Sequence, residues 1–237
     1  MLKSVYENGG FWVGRYEAGI EDEANIRKSS SSTATLTPVS KQNAYPYNYV
    51  TITQAKALAE QVESGSYTSS LMFGVQWDLV LKYIQMKKEA TVTDIKTKLN
   101  SNSTPIGNYY NSEFTLNRGK FAQYNALSKW YNFNSEEKPT LVTGSKKKEQ
   151  SSSENGILLT TGATDATSLQ NISDIAGNVW EWTLEKTSDI FLPCVRRGGS
   201  YGSYGSGGSI SSYPASYRIN SSTSGSYDYD GFRVSLY

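Results

Sequence analysis

The chain has 237 residues, enough to bury a core in one large or two small domains. Its 23 Lys and Arg residues nearly balance 22 Asp and Glu residues, so the net charge of +1 gives no electrostatic reason to expect a nucleic-acid partner or an anionic membrane. The chain has no histidine and one cysteine, Cys194, which excludes histidine-based catalysis, an intramolecular disulfide and a multi-thiolate metal site.

The amino-terminal sequence lacks the apolar stretch of a secretory signal, and no run approaches the ~18 apolar residues of a membrane span. We therefore expect no membrane insertion, and an extracellular role would need another route of delivery. Aromatic residues make up 13% of the chain, with 18 tyrosines, so the chain is expected to fold.

The first predicted element is a strand over residues 11–17 (FWVGRYE), which are aromatic and β-branched and follow two glycines. The polar, Ser/Thr-rich residues 20–45 are predicted to form a long loop.

Three helices are predicted next. Residues 53–62 place apolar side chains at i, i+3, i+4 and i+7, and Thr51 and Gln54 have the spacing of a capping box just before them. A second helix is predicted over 75–86, and a short third helix over 93–99.

Residues 100–170 show few periodic signals, and their scattered aromatics predict a loop-rich region held down by buried rings. Within this region, residues 144–156 are predicted to be the most mobile part. Strands are predicted again at 179–183 and 194–197. The chain ends with Phe232, Val234 and Leu236 alternating with Arg233, Ser235 and Tyr237, which predicts a half-buried strand pairing with the first one.

Several of these segments occur in an informative order: FWVGRYE at 11–17, the helix that contains Trp77, DIAGNVWEWT at 174–183, RGGSY at 197–201 and GFRV at 231–234. Together they resemble the formylglycine-generating-enzyme (sulfatase-modifying factor) family. The resemblance implies an α+β, C-type lectin-like fold with two main helices, small antiparallel sheets and much irregular loop, spanning the whole chain as one domain.

The enzymes of this family have a cysteine pair shortly after the RGGS element, where a thiolate is the nucleophile and copper ligand. The corresponding positions here fall near Ser203 and Gly208. Cys194 precedes the motif and is expected to be a small buried residue. We therefore carry over the fold and not the activity, and assign no catalytic residue.

Residues 198–230 have an unusual composition, since 27 of these 33 residues are Ser, Gly, Tyr, Asp or Asn. A flexible linker is the simplest interpretation. Only one short strand follows, however, and linkers are not rich in tyrosine. Antibody binding loops use the same mixture, because tyrosine supplies rigid contact area and Ser, Gly and Asn supply adaptable hydrogen bonds.

The segment more closely resembles the variable region of diversity-generating retroelement variable proteins, which lies between an RGGS-like element and a GFR-like strand. The resemblance implies ligand binding by Gly202, Ser203, Tyr204, Ser206, Gly207, Ser209, Ile210, Tyr213, Tyr217, Ile219, Asn220, Ser221, Ser222, Gly225, Tyr227, Asp228 and Tyr229. The implied partner is a protein or glycan receptor on a target cell. The implied setting is a phage tail or a cell surface reached by a non-Sec route, with a homotrimer as one oligomeric state.

Two other functions stay open: a structural virion protein whose tyrosines pack between subunits, and a formylglycine-generating-type oxidase, which the missing cysteines disfavour. Asp228 and Asp230 are interpreted as contact residues or solubilising charges rather than acid–base catalysts.

The sequence DIAGNVWE also resembles the family's calcium loop. That resemblance implies ligands from Asp174, Gly177, Val179 and Glu181, and oxygen ligands of this kind suit calcium. The alternative is structural. Asp174 would then cap a turn and Glu181 would pair with an arginine, while Trp180 and Trp182 would lie in the core.

Overall fold

The computed structural model has short helices and small sheets joined by long irregular segments, which confirms the expected α+β class. It describes residues 1–62, 65–87, 94–114, 116, 118–123, 127–132, 156–205 and 212–237. Among these residues, no helix combines the length and apolar character that a membrane crossing requires.

The described residues form four α-helices: α1 (Leu2–Asn8), α2 (Ile52–Ala59), α3 (Gly74–Lys87) and α4 (Ile95–Asn100). The capping box before α2 is confirmed, because the Gln54 N–H donates to Thr51 Oγ1 at 3.3 Å and the Thr51 N–H donates to Gln54 Oε1 at 3.0 Å. The helix ends three residues earlier than predicted. Helices α3 and α4 confirm the other two predicted helices, whereas α1 was not predicted.

Within the described ranges the strands are short and lie in five small sheets. In chain order they are β1 (Trp12–Val13), β2 (Gly19–Ile20), β3 (Tyr45–Pro46), β4 (Ser69–Leu71), β5 (Lys120–Gln123), β6 (Trp130–Asn132), β7 (Ile157–Leu159), β8 (Ser168–Leu169), β9 (Ile172–Ser173), β10 (Trp180–Lys186), β11 (Cys194–Arg197), β12 (Arg218–Ser221), β13 (Asp230–Phe232) and β14 (Val234–Leu236).

The largest sheet has the order β12-β11-β10-β13 and carries the candidate binding segment. Strands β10, β11 and β12 are antiparallel, with Trp182 opposite Arg196 and Arg196 opposite Ile219. Strand β13 runs parallel to β10 and places Asp230 beside Trp180. Side chains of paired residues project from the same face of a sheet, so these residues share one face.

The carboxyl-terminal strand differs from the prediction. It is two strands in two sheets, because β13 pairs with β10 while β14 lies between β1 and β4. The predicted pairing with the first strand is confirmed by Trp12 opposite Leu236. The half-buried pattern is wrong: Arg233 and Ser235 are fully buried, since the chain has protein on both sides at this point.

Two hydrophobic clusters hold the helices against the sheets. One packs Trp77 of α3 against Leu99 of α4, and the other packs Leu58 of α2 against Trp182 of β10. Buried indoles need a hydrogen-bond acceptor. The Trp77 indole donates to the Ala215 carbonyl at 3.0 Å, so α3 ties the candidate binding segment directly to the core.

The middle of the chain contains more regular structure than predicted, because β6, β5 and β7 form a three-stranded sheet there. Its aromatics do hold loops in place: Tyr109 and Phe121 are buried, and Trp130 packs edge-on against Tyr45 with ring centroids 4.9 Å apart. Residues 144–155 of the segment predicted to be mobile lie outside the described residues.

Candidate functional site

The segment 198–230 leaves β11 through a fixed glycine turn. Gly198 and Gly199 have φ values of +93° and +81°, which favour glycine. The Tyr109 hydroxyl donates to the Gly198 carbonyl at 2.6 Å. A β-carbon at Gly199 would lie 2.5 Å from the Tyr109 ring and from the Tyr213 carbonyl oxygen. The RGGS element therefore anchors the segment against a buried tyrosine.

The segment is not one loop between two anchors, because it returns to the sheet as β12. There Arg218 lies opposite Arg197 and Ser221 lies opposite Cys194. Before β12, Ala215 is fully buried, and its N–H donates to Ser103 Oγ at 2.8 Å. The described part of the segment is thus fixed at several points along its length.

Ten of the predicted ligand-binding residues have exposed or half-exposed side chains or, at glycine, exposed backbone. They are Gly202, Tyr204, Tyr213, Tyr217, Ile219, Asn220, Ser222, Tyr227, Asp228 and Tyr229. Among the described tyrosines of the segment, Tyr217 and Tyr227 are the most exposed, with exposed fractions of 40% and 49%. These positions are available to a ligand.

Three predicted positions are buried, which corrects their assignment. The Ser203 hydroxyl donates to the Ser200 carbonyl at 2.8 Å, and Ser221 lies inside the β11–β12 pairing. Gly225 is enclosed so closely that a β-carbon would lie 2.9 Å from Ser221 Oγ. A buried hydroxyl or glycine cannot contact a ligand, so these residues support the segment instead. The remaining predicted positions, Ser206, Gly207, Ser209 and Ile210, lie outside the described residues.

Four tyrosines and one tryptophan form what we call the tyrosine surface: Tyr213, Tyr217, Tyr227, Tyr229 and Trp180. The Tyr213 ring meets Tyr217 edge to face at 4.8 Å and Trp180 at 5.2 Å. Tyr227 and Tyr229 stack at 5.1 Å with ring planes 18° apart. These separations lie within the range of roughly 4.5–7 Å at which aromatic pairs attract. The rings are therefore held in a defined arrangement.

A further pair lies beside this surface and includes a residue that the sequence had not singled out for binding. Tyr204 packs against Tyr110 with ring centroids 5.2 Å apart, and its carbonyl accepts from the Tyr213 N–H at 2.7 Å. Tyr110 is half-exposed. Tyr110 lies almost ninety positions before Gly198, where the segment begins, so no local signal connects it to the site.

Each charged residue of the segment has a side-chain partner in the structure. Arg218 forms ion pairs with Asp78 and, at 2.8 Å, with Glu185. The Asp228 carboxylate accepts a hydrogen bond from the Tyr201 hydroxyl.

The structure corrects the interpretation of Asp230 as a contact residue or solubilising charge. Asp230 is fully buried and forms an ion pair with Arg196, so it is neither a contact residue nor a solubilising charge. The sequence of 198–230 contains only Arg218, Asp228 and Asp230 as charged residues. Arg218 and Asp230 form ion pairs, whereas Asp228 accepts a hydrogen bond from a neutral hydroxyl.

The proposed calcium loop contains a buried ion pair. Arg233 donates to both oxygens of Glu181, through Nη2 at 2.7 Å and Nε at 3.1 and 3.2 Å. It also donates to the carbonyls of Gly14 at 2.9 Å and Ser173 at 2.8 Å. As the structural alternative predicts, Glu181 pairs with an arginine, and Trp180 and Trp182 are buried.

Two more carboxylates are buried close to this pair. Asp174 accepts from the Thr167 hydroxyl at 2.6 Å and the Gly162 N–H at 2.7 Å. Glu17 accepts from Asn178 Nδ2 at 2.6 Å. Burial, followed by repulsion from Asp174 and Glu181, raises the pKa of Glu17 well above its usual value. Burial also raises the pKa values of Asp174 and Glu181.

In this arrangement the four candidate ligands do not fit a calcium ion, which takes roughly six to eight oxygen ligands. Both carboxylates already accept hydrogen bonds from the protein, and the Arg233 guanidinium places positive charge against Glu181. Gly177 belongs to a tight turn, where a β-carbon would lie 2.3 Å from the Asn108 carbonyl oxygen. Across the described ranges, no group of three or more His, Cys, Asp or Glu residues suits a metal. Calcium binding through Asp174, Gly177, Val179 and Glu181 stays a prediction.

Cys194 is buried on β11, as expected for a small core residue. Burial raises the pKa of its thiol, which keeps it protonated and unreactive. Ser203, near which the enzymes have a cysteine, is itself buried.

An α+β scaffold that holds a Ser/Gly/Tyr segment between an RGGS turn and a GFR strand defines a C-type lectin-like protein. The family model described as the sulfatase-modifying factor enzyme 1-like domain matches residues 10–236, and the chain belongs to this family. Among solved structures, Treponema denticola variable protein 1 is similar, with 16% identity, 95% of this chain and 84% of that chain covered, and a TM-score of 0.44. No curated protein matches the sequence.

Proposed function

We propose that this chain is a non-catalytic ligand-binding protein that contacts its ligand with the tyrosine surface. The observation that carries this proposal is the arrangement of four partly exposed tyrosines in fixed ring contacts, above the buried Arg196–Asp230 ion pair. Tyrosine gives a large amphipathic contact area with few rotatable bonds, and rings that are already packed lose little freedom on binding.

The absence of cysteine from the segment 198–230 supports the non-catalytic reading, since the family's enzymes need thiolates there. The only thiol of the chain is buried on β11.

We further propose that the chain is a variable protein of a diversity-generating retroelement. The Ser/Gly/Tyr composition between RGGS and GFR supports this, and so does the burial of the positions that tie the segment down. Exposed positions can change residue type without disturbing the core, whereas Ser203, Ser221 and Gly225 cannot. The partner would be a protein or glycan receptor on a target cell. The protein would act on a phage tail, where a homotrimer is one expected oligomeric state, or on a cell surface.

Flanking DNA tests the variable-protein proposal. We expect a near-identical template repeat that differs only at adenines, beside a reverse transcriptase gene. Sequenced copies of the gene should differ at exposed positions such as Tyr217 and Tyr227 and agree at Ser221 and Gly225. Substitutions spread evenly over buried and exposed positions would contradict the proposal.

Ligand binding is tested with arrays of glycans and of cell-surface proteins. The wild-type chain should bind a defined subset, and Tyr217→Ser and Tyr227→Ser should each lower the affinity at least tenfold, about 1.4 kcal/mol. Tyr6→Ser is the matched control, because Tyr6 is 91% exposed on α1 and outside the tyrosine surface. If the tyrosine variants bind as well as the control, or if the tyrosines are buried between subunits in solution, this surface is not the ligand site.

A further inference from the structure

A buried ion pair lies beneath the tyrosine surface. Arg196 of β11 is 7% exposed, and its Nη1 donates to Asp230 of β13, which is fully buried. Burial of an ion pair costs several kcal/mol of desolvation per ion, and an apolar pair of similar volume often serves stability as well. Stability alone therefore does not explain why this position carries charge.

The Arg196 guanidinium contacts three aromatic rings at once. Its central carbon lies 5.8 Å from the Trp180 ring centroid, 5.3 Å from that of Trp182 and 5.9 Å from that of Tyr229. A guanidinium within about 6 Å of an aromatic centroid is attracted by the ring. Arg196 Nε is buried and has no hydrogen-bond partner among the described residues, so ring contacts and Asp230 hold this group in place.

Asp230 in turn holds the turn that carries the stacked tyrosines. Its Oδ2 accepts from the Tyr227 N–H at 3.3 Å, and its own N–H donates to the Tyr227 carbonyl at 3.0 Å. The residues between these contacts include Tyr229, which stacks on Tyr227.

The ion pair thus joins both halves of the tyrosine surface. Through the Trp180 ring it supports Tyr213 and Tyr217, and through Asp230 it supports Tyr227 and Tyr229. We infer that Arg196 and Asp230 are a positioning pair that sets the two tyrosine pairs relative to each other, so that ligand affinity depends on charges that lie beneath the contact surface. This inference rests on the proposed function for its consequence in binding, but the placement of the rings can be measured without any ligand.

The experiment labels the five tryptophans with 5-fluorotryptophan and records ¹⁹F NMR spectra of the whole chain, with each signal assigned by a Trp→Phe variant. The variants are Arg196→Met, Arg196→Lys and the double variant Arg196→Met with Asp230→Asn. All three should move the Trp180 and Trp182 signals by more than a linewidth and leave the Trp12 and Trp77 signals in place.

The melting temperatures of the variants distinguish a positioning role of the Arg196–Asp230 pair from a purely stabilising one. Arg196→Met alone leaves a buried carboxylate unpaired and should lower the melting temperature, whereas the double variant removes both charges and should recover most of that loss. In the double variant the Trp180 signal should nevertheless stay shifted, and affinity for the ligand identified on the arrays should stay at least tenfold below wild type.

Arg118→Met is the matched control, because Arg118 forms a salt bridge with the exposed Asp165, outside the tyrosine surface. It should change neither the Trp180 signal nor the affinity. A double variant with wild-type Trp180 and Trp182 signals, or one with shifted signals that binds an array ligand as tightly as wild type, would overturn the inference. If the signals shift but no array ligand exists, the proposed function fails while the positioning role stands.

Discussion

At the scale of single residues, all three guanidinium nitrogens of Arg233 donate hydrogen bonds inside the scaffold. Arg233 is fully buried and neutralises Glu181 through a bidentate contact while it also donates to two backbone carbonyls. Arginine suits this place, because its planar fork matches a carboxylate with two parallel hydrogen bonds. The pair joins the segment between β13 and β14 to β10, and thus joins the chain's end to its GNVWEW element.

Removing this guanidinium should be severely destabilising. Arg233→Met leaves Glu181 as a buried, unpaired carboxylate beside Asp174 and Glu17, and we expect the free energy of unfolding to fall by about 3–5 kcal/mol. Guanidinium chloride unfolding followed by tryptophan fluorescence measures the change. Lys41→Met breaks an ion pair with Glu21 whose side chains are more than half exposed, and it should cost less than about 1 kcal/mol. Equal losses of unfolding free energy in the two variants would show that the buried Arg233–Glu181 pair stabilises the fold no more than an exposed ion pair does.

For Glu181, the sequence indicates that the partner is an arginine but does not indicate which arginine. Glu181 was expected to pair with an arginine, but Arg233 lies 52 positions away, and alternation of side chains predicted that it would face outward. Similarly, composition locates the binding segment but cannot separate exposed Tyr217 from buried Ser221, because burial depends on how β12 pairs with β11.

At the scale of elements, helix α2 begins where local chemistry dictates. Thr51 and Gln54 satisfy each other's backbone N–H groups in a capping box. Thr51→Ala removes the hydroxyl acceptor, and we expect it to cost about 1 kcal/mol, measured by chemical denaturation. Thr51→Ser retains the hydroxyl and should remain within about 0.5 kcal/mol of wild type. A Thr51→Ala variant as stable as Thr51→Ser would mean that packing alone sets this end of the helix.

The helices α2, α3 and α4 could be predicted because their signals are local, namely capping residues and apolar spacing. Strands of two or three residues, such as β2 and β4, have no periodicity to detect and exist only through distant partners. The split between β13 and β14 has the same origin, since β10 and the β1–β4 pair lie far apart in the sequence.

At the scale of the whole molecule, the calcium prediction has a direct test. With Glu181 paired to Arg233 and each Asp174 oxygen already accepting a hydrogen bond from the protein, we expect millimolar calcium to leave the melting temperature unchanged relative to the chelator-treated protein. Scanning calorimetry with calcium and with EDTA measures this, with magnesium as the control for general ionic effects. A calcium-specific increase that Asp174→Asn abolishes would establish the loop as a calcium site and would require Arg233 to release Glu181.

The buried carboxyls give the molecule an unusual dependence on pH. Burial raises the pKa values of Glu17, Asp174, Glu181 and Asp228, and it raises the pKa of Asp230 to about 6 even though Arg196 opposes the shift. A carboxyl whose folded pKa exceeds its unfolded value binds more protons in the folded state between the two values. Its contribution to stability is complete below the unfolded pKa and is lost as pH rises through the folded pKa.

For Asp230 this window extends from its ordinary value of 3.8 to about 6. The free energy of unfolding should therefore rise as pH falls from 7 to 5, by up to about 1.4 kcal/mol per pH unit for one carboxyl. Guanidinium chloride unfolding at pH 5, 6 and 7 measures the slope. Asp230→Asn removes one such group and should flatten it, whereas Glu7→Gln, at an exposed position on α1, should keep it. A wild-type stability that is flat or falls between pH 7 and 5 would mean that these carboxyls stay ionised in the folded chain.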